Sequence, residues 1–164
     1  MPQLPLIDGF EFARSGSRQS GDCAAKDFRR LLGALYTPEG TIHYELQGLP
    51  QELGRPALRL RVAGRLQLIC QRCLGPLPFE LRSETQLLLF AEQAELAAVP
   101  IEAEGPEHIV ARREMPVLEL VEDEVLLAVP YAPRHEQCST RDAHAPNAPQ
   151  RPFAGLRALL GEKH

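Results

Sequence analysis

"ALRLRVAGRLQLIC", residues 57 to 70, decides what kind of fold this chain can adopt. Leu58, Leu60, Val62, Leu66, Leu68 and Cys70 share one parity, with Gly64 the single gap, while Arg59, Arg61 and Arg65 share the other. Successive side chains of a strand point to opposite faces, so this alternation predicts a leucine face turned inward and an arginine row turned outward. The run is long for one strand, and Gly64 predicts a bulge or bend within it.

The chain around this strand supplies its neighbours. "CLGPLP" predicts a turn holding Cys70 and Cys73, and Leu77, Phe79 and Leu81 then lead through "TQLLLF" (85–90) as the second arm of an antiparallel hairpin. Upstream, "TIHYELQGL" (41–49) alternates as another strand. Before it, "DCAAKDFRRLLGAL" (22–35) places Phe28, Leu31, Leu32 and Leu35 at helical spacing with Asp22 as N-cap. Residues 91–107 carry five glutamates and no basic residue, which predicts a mobile acidic loop, and a short strand near 108–112 would close the sheet.

"PVLELVEDEVLLAVP" (116–130) opens and closes on proline and predicts a helix over 116–129. Val117, Leu118, Leu120, Val121, Val125, Leu127 and Ala128 share a broad apolar arc, with Glu119, Glu122 and Asp123 opposite. Glu124 falls inside the arc and would need a partner, with Arg112 or an arginine of the N-terminal helix as the expectation. Residues 139–152 read as a proline-punctuated linker, and Phe153, Leu156 and Leu160 predict a short docked helix over 152–160. The fold class is therefore α+β: an antiparallel sheet from 41 to 112, open or barrel-like, with three packed helices in one domain over 1–164.

Bulk properties limit the function classes. The 164 residues are 44% apolar and 24% charged, ordinary for a soluble globular protein, and no apolar run reaches the length of a membrane span. The start, "MPQLPLIDGF", lacks the basic-then-apolar pattern of a signal peptide, so a cytoplasmic protein is expected. Its net charge of −4 conceals a segregation: residues 55–82 carry net +5 and residues 84–124 net −9.

In a reducing cytoplasm, four cysteines argue for metal, reactivity or burial before disulfides. A redox C-x-x-C lowers its thiol pKa at a helix N-terminus, whereas this pair follows a strand and precedes "LGPLP". Two readings stay open. In one, Cys70 and Cys73 grip a zinc ion from a tight turn, with His135 and Cys138 of "PRHEQCS" completing a Cys₃His set and His144 as a substitute for His135. In the other, Cys70 is a core residue on the leucine face and the remaining thiols are incidental. Cys23 has no nearby partner and reads as a packed residue.

Three blocks in this order, "CQRCLGPL" after a long strand, "LVEDEVLLAVPYAPRHEQC" and "PFAGLRALL", resemble the YceD family of large ribosomal RNA subunit accumulation proteins. The resemblance implies a non-enzymatic bacterial factor needed for synthesis, processing or accumulation of 23S ribosomal RNA. It places Cys70 and Cys73 at the family's cysteine pair, Glu122, Asp123 and Glu124 on its acidic helix, and His135 with Cys138 in a segment where some members carry more cysteines. Arg151 stands where related chains often have asparagine.

Two contact modes follow. Arg59, Arg61 and Arg65 on one strand edge, with Arg72 beyond them, are candidates for phosphates of precursor rRNA or a pre-ribosomal large subunit, reading shape and backbone in the absence of strand aromatics. The same arginines could instead be a solvated face paired with glutamates across the sheet. Alternatively the acidic loop with Glu119, Glu122 and Asp123 would recruit a basic ribosomal protein or an RNA-processing enzyme. No Gly-rich phosphate loop or nucleophile–base motif is present, so an enzyme is not expected.

Overall fold

The computed structural model describes residues 5–100 and 105–138. The linker 139–152, His144, Arg151 and the helix expected over 152–160 lie outside the described residues. Along the chain come β1 (Leu6–Ile7), α1 (Gly9–Arg14), β2 (Arg18–Ala24), two 3₁₀ turns (Ala25–Asp27 and Leu31–Ala34), β3 (Thr41–Glu52), β4 (Arg55–Ile69) and β5 (Pro76–Phe90). Then follow α2 (Gln93–Ala97), β6 (Glu107–Val110), β7 (Met115–Pro116) and α3 (Val117–Ala128).

Five strands form one sheet in the order β2-β3-β4-β5-β6, and β1 pairs with β7 separately. The β4–β5 hairpin is the spine, paired antiparallel without a break from Ala57↔Leu88 to Ile69↔Pro76. β3 joins β4 through Leu53 and Gly54, both at positive φ (48° and 82°), the backbone that a two-residue hairpin turn requires. Leu58, Leu60, Val62, Leu66 and Leu68 are all buried on one face, as their parity predicts. α3 and the 3₁₀ turns lie over that face, contributing Val117, Val121, Val125, Phe28 and Leu31 to one core.

Three points of the sheet settle or correct the expectation. Among the described residues it is an open α+β sheet, with no barrel closure between β2 and β6. The apolar face is covered by α1, α3 and the 3₁₀ turns, so it need not close on itself. Next, β6 runs parallel to β5, because the 91–106 connection is long enough to bring the chain back to the same end before it pairs. Finally, Gly64 marks no bulge: the register with β5 runs through it unbroken, and the pairing with β3 ends at it in the Ile42↔Gly64 pair. Its role is close approach, since a Cβ there would lie 2.6 Å from the Thr41 carbonyl oxygen.

The three helices of the described residues are α1, α2 and α3, of which only α3 is where the sequence predicts one. Residues 22–35 are not an α-helix. Asp22 and Cys23 belong to β2, an edge strand of mainly polar residues in which Cys23 alone is buried, so it shows no apolar alternation. Phe28, Leu31 and Leu35 are buried as expected, but Leu31 from the second 3₁₀ turn and Phe28 and Leu35 from the extended residues that end the two turns, and Leu32 is exposed. α1 begins instead at Asp8, whose Oδ1 accepts from the Glu11 amide at 3.0 Å. Within the acidic 91–107 segment, α2 packs Leu96 against Ala57, Leu88 and Phe90, and Arg55 reaches Glu95 at 3.2 Å. Because α2 covers the outer face at this end, Leu87, Leu88, Leu89 and Phe90 form a continuous buried run. No helix among the described residues is long and apolar enough to cross a membrane.

On α3, Glu124 is buried as the apolar arc requires, but its partner is the Ser83 hydroxyl of β5, which donates to Oε1; neither Arg112 nor an N-terminal arginine pairs with it. Glu122 is the larger correction. It is buried, not solvent-facing, because its carboxylate accepts from the Arg30 amide (2.6 Å), the Leu31 amide (3.3 Å) and Arg30 Nε (3.0 Å). Those amides open the second 3₁₀ turn, where backbone N–H groups have no partner within the turn. Leu127, placed in the arc by periodicity, is exposed near the end of the helix. Replacing Glu122 by Ala strands two amides and is expected to lower the unfolding free energy by about 2–3 kcal/mol. A urea titration giving a loss below about 0.5 kcal/mol would mean water takes over those bonds.

Candidate metal centre

At the far end of the β4–β5 hairpin the chain turns through residues 70–75. Cys70 N–H donates to the Gly75 carbonyl (3.0 Å) and Leu74 N–H to the Cys70 carbonyl (2.9 Å), with Leu74 in the left-handed region at φ 58°. This tight turn points Cys70 and Cys73 to the same side. Past the end of α3, the Pro133 carbonyl accepts from Gln71 N–H (2.8 Å), which lays 133–135 against 71–73.

The result is a four-donor cluster. Ligand atoms of Cys70, Cys73, His135 and Cys138 all lie within 4.8 Å of one another. Cys70 Sγ is 3.9 Å from Cys138 Sγ, and Cys73 Sγ is 3.5 Å from His135 Nδ1. A tetrahedral ion with metal–sulfur bonds of about 2.3 Å and metal–nitrogen bonds of about 2.0–2.1 Å would have edges of about 3.5–3.8 Å, so the donors fit. His135 Nε2 lies 3.0 Å from the Pro76 carbonyl oxygen, which can only accept. Nε2 therefore carries the proton and Nδ1 turns its lone pair toward the sulfurs, the outer hydrogen bond that orients a metal-binding imidazole.

The electrostatics favour a cation. Burial alone would raise the Cys70 thiol, but the backbone amides of Cys73, His135 and Arg72, with the Cys73 thiol, bring it down to about 5. The Cys138 thiol is pushed up, by burial first and then by its bond to Cys70 and the negative charge of Cys70 and Cys73. Thiolates crowded in this way repel unless a metal ion sits between them. Cys70 is fully buried and the other three ligands are half-buried. Four protein donors leave no open position, which is the arrangement of a structural site. Cys23 is buried within the main core, where burial, Asp27 and Asp22 all raise its thiol pKa.

The remaining sequence candidates are dispersed. Arg61 lies between Glu84 (2.9 Å) and Glu45 (3.9 Å) on neighbouring strands, and Arg59 Nε is 3.5 Å from Glu84. Cross-strand acids thus take up much of the charge of the arginine row. Arg65 and Arg72 are exposed and, among the described residues, have no ion-pair partner. Glu119 and Asp123 are exposed on α3, with Asp123 held by Arg30; Glu122 is turned inward as described above. Ser83 and Arg30 are the partners that sequence reasoning missed, and neither shows a local signal, since each meets its carboxylate only through packing.

A helix-covered open sheet whose main hairpin is joined to the segment after its helix by a Cys₃His cluster defines a knuckle-bearing α+β protein. Residues 58–160 match the family model described as Large ribosomal RNA subunit accumulation protein YceD, more than half of the chain, and the chain belongs to that family. The match spans β4, β5, the cluster and α3, while α1 and β1–β3 precede it. No curated protein and no solved structure matches the chain.

Proposed function

We propose that this protein is a non-enzymatic cytoplasmic factor in ribosome biogenesis. It supports synthesis, processing or accumulation of 23S ribosomal RNA through contact with precursor rRNA or the pre-ribosomal large subunit. The observation that carries this reading is the family match over the hairpin, the cluster and α3, whose description ties the family to large-subunit RNA accumulation. Within that reading the cluster holds one zinc ion. Three thiolates and an imidazole are a donor set that suits zinc, and a closed shell supplies folding energy and leaves no place for substrate.

In cells depleted of the protein, the 23S to 16S rRNA ratio is expected to fall, with precursor ends accumulating, and the wild-type gene is expected to restore it. An unchanged ratio on full depletion would refute the reading.

One observation favours a protein-binding contribution. Two adjoining cavities of about 290 Å³ each lie against α3, one toward α2 and β6 and the other toward β5 and β6; they share Ile109, Leu120 and Asp123, with Glu119 and Arg112 lining the first and Glu107 and Glu124 the second. An apolar lining in which four carboxylates outnumber the single arginine suits a basic ribosomal protein or a processing enzyme. Co-purification that survives ribonuclease treatment supports this contact; its complete loss assigns the association to RNA.

A further inference from the structure

Among the described residues, the cluster end of the sheet carries two unpaired arginines, whereas in the arginine row of the sheet face Arg59 and Arg61 are paired with acids and Arg65 alone is not. Arg72 is the middle residue of 71–73 and Arg134 the middle residue of 133–135. The two segments are held together by the Gln71–Pro133 hydrogen bond (2.8 Å) and the Cys73–His135 contact (3.5 Å). Both arginines are exposed, and among the described residues neither has a carboxylate partner. Arg30, Arg55, Arg59, Arg61 and Arg82 each face an acid, while Arg14, Arg18, Arg29, Arg65, Arg112 and Arg113 are also without one among the described residues; what sets Arg72 and Arg134 apart is that two tethered segments bring them to one end of the sheet. Glu136 is the one acidic residue of 133–138; with it, and with the net −1 of three thiolates around a divalent ion, the two arginines bring the tip to neutrality. Binding there rests on their exposed guanidinium groups and the rings at the same end, and not on a net positive field.

Aromatic side chains gather at the same end. Tyr36 is fixed there by its N–H bond to the Gln67 carbonyl (2.7 Å), beside the Leu35↔Leu68 bridge. Tyr131 stands between α3 and Pro133. Of the three tyrosines, Tyr44 is buried, whereas Tyr36 is 49% and Tyr131 104% exposed. Leu74, at the tip of the turn, is 68% exposed. Large rings presented to solvent at the same end of the sheet as unpaired guanidinium groups match the needs of an unstacked nucleic-acid strand, whose bases stack on aromatics while arginines hold its phosphates.

We infer that the cluster end is a binding surface for single-stranded RNA, with Arg72 and Arg134 on phosphates and Tyr131 and Tyr36 as stacking platforms. This rests on the ribosomal-RNA reading above and deepens it by naming the surface and the form of RNA. A duplex keeps its bases stacked, so it offers this surface phosphates alone and binds more weakly. The metal site contributes by holding the two arginine-bearing segments in register, which keeps the entropic cost of binding small.

The test is fluorescence anisotropy of a labelled mixed-sequence single-stranded RNA, and of the same RNA annealed to its complement, with the full chain over a range of salt concentrations. The single strand is expected to bind more tightly than the duplex. Each phosphate contact contributes about 0.7 to the slope of log K against log salt, so Arg72→Ala with Arg134→Ala flattens that slope by about 1.4. Tyr131→Ala is expected to weaken binding about tenfold or more at an unchanged slope. Arg82→Ala, which loses only a contact with Glu80 on the sheet, binds as wild type; melting curves confirm that each variant is folded.

Equal or tighter duplex binding, a wild-type slope in the double variant, or wild-type affinity in Tyr131→Ala overturns the inference. So does a slope that flattens only when Arg59 and Arg61 are replaced, which moves the RNA to the sheet face. If the surface fails this test while depletion still lowers 23S rRNA, the functional reading stands and its RNA contact lies elsewhere. If binding behaves as expected but depletion leaves 23S rRNA unchanged, the surface stands and the ribosomal role falls.

Discussion

Protein purified without chelator is expected to carry about one zinc ion per chain, and stripping it is expected to lower the melting temperature by about 10 °C or more. The size of the effect follows from what the cluster joins. Cys70 and Cys73 sit in the β4–β5 turn, whereas His135 and Cys138 follow α3, so a metal there closes a long loop and holds the helix-bearing segment to the sheet. Without the ion, buried Cys70 and half-buried Cys138 are two close sulfurs that cannot both ionise cheaply. Cys70→Ser and Cys138→Ser should each lose the zinc and most of the thermal stability gained from it. Cys23→Ser should keep the metal, because Cys23 is in the core on β2 and is not a member of the cluster. Zinc well below one equivalent by elemental analysis, together with unchanged melting of Cys70→Ser, would leave the four residues as packed thiols and an ordinary histidine.

Gly48→Ala is expected to be the most damaging single methyl in the sheet. A Cβ at this position would lie 2.1 Å from the Phe12 carbonyl oxygen and 2.9 Å from Ala13 Cα, both of them backbone atoms of α1. A flexible side chain could swing away, but a helix backbone can only be displaced as a body. Moving α1 uncovers Ala13, Leu46 and Leu58, all essentially fully buried, and breaks the Gly48 N–H bond to the Ser17 carbonyl (2.8 Å). A loss of about 4 kcal/mol is expected from overpacking and lost contacts together. Urea unfolding that reports less than about 1 kcal/mol would show that α1 docks loosely enough to shift without cost.

Several elements were legible because their signal is local. The parity of Leu58 to Cys70 against Arg59 to Arg65 is strong enough to identify β4 and its buried face unaided. The helical spacing of Val117, Val121 and Val125 between two prolines does the same for α3. The cluster members were legible as candidates because C-x-x-C and H-x-x-C are ligand spacings. Their meeting was not, since it depends on α3 running back along the sheet to deliver 133–138 to the hairpin turn.

Where the reading failed, a side chain's environment lay far away in sequence. β2 has no alternation because it is an edge strand, so residues 22–35 were legible only through the apolar spacing that 3₁₀ turns share with a helix. Glu122 looked like a solvent-facing acid by its angle on α3, and became a buried acceptor only because the Arg30 and Leu31 amides, ninety residues upstream, need one.

By itself, then, the sequence determined the hairpin, the inward leucine face, the main helix, the set of possible metal ligands and the membership of a family. The first four follow from periodicity or spacing within a few turns of chain, and the family from the resemblance of three blocks in order. Only the tertiary structure decided that the sheet stays open, that β6 runs parallel and which carboxylates are buried. It also decided that the four ligands converge and that Arg72 stands beside Arg134. These depend on which distant segments are brought into contact, and burial and electrostatics are properties of that contact, not of either segment alone.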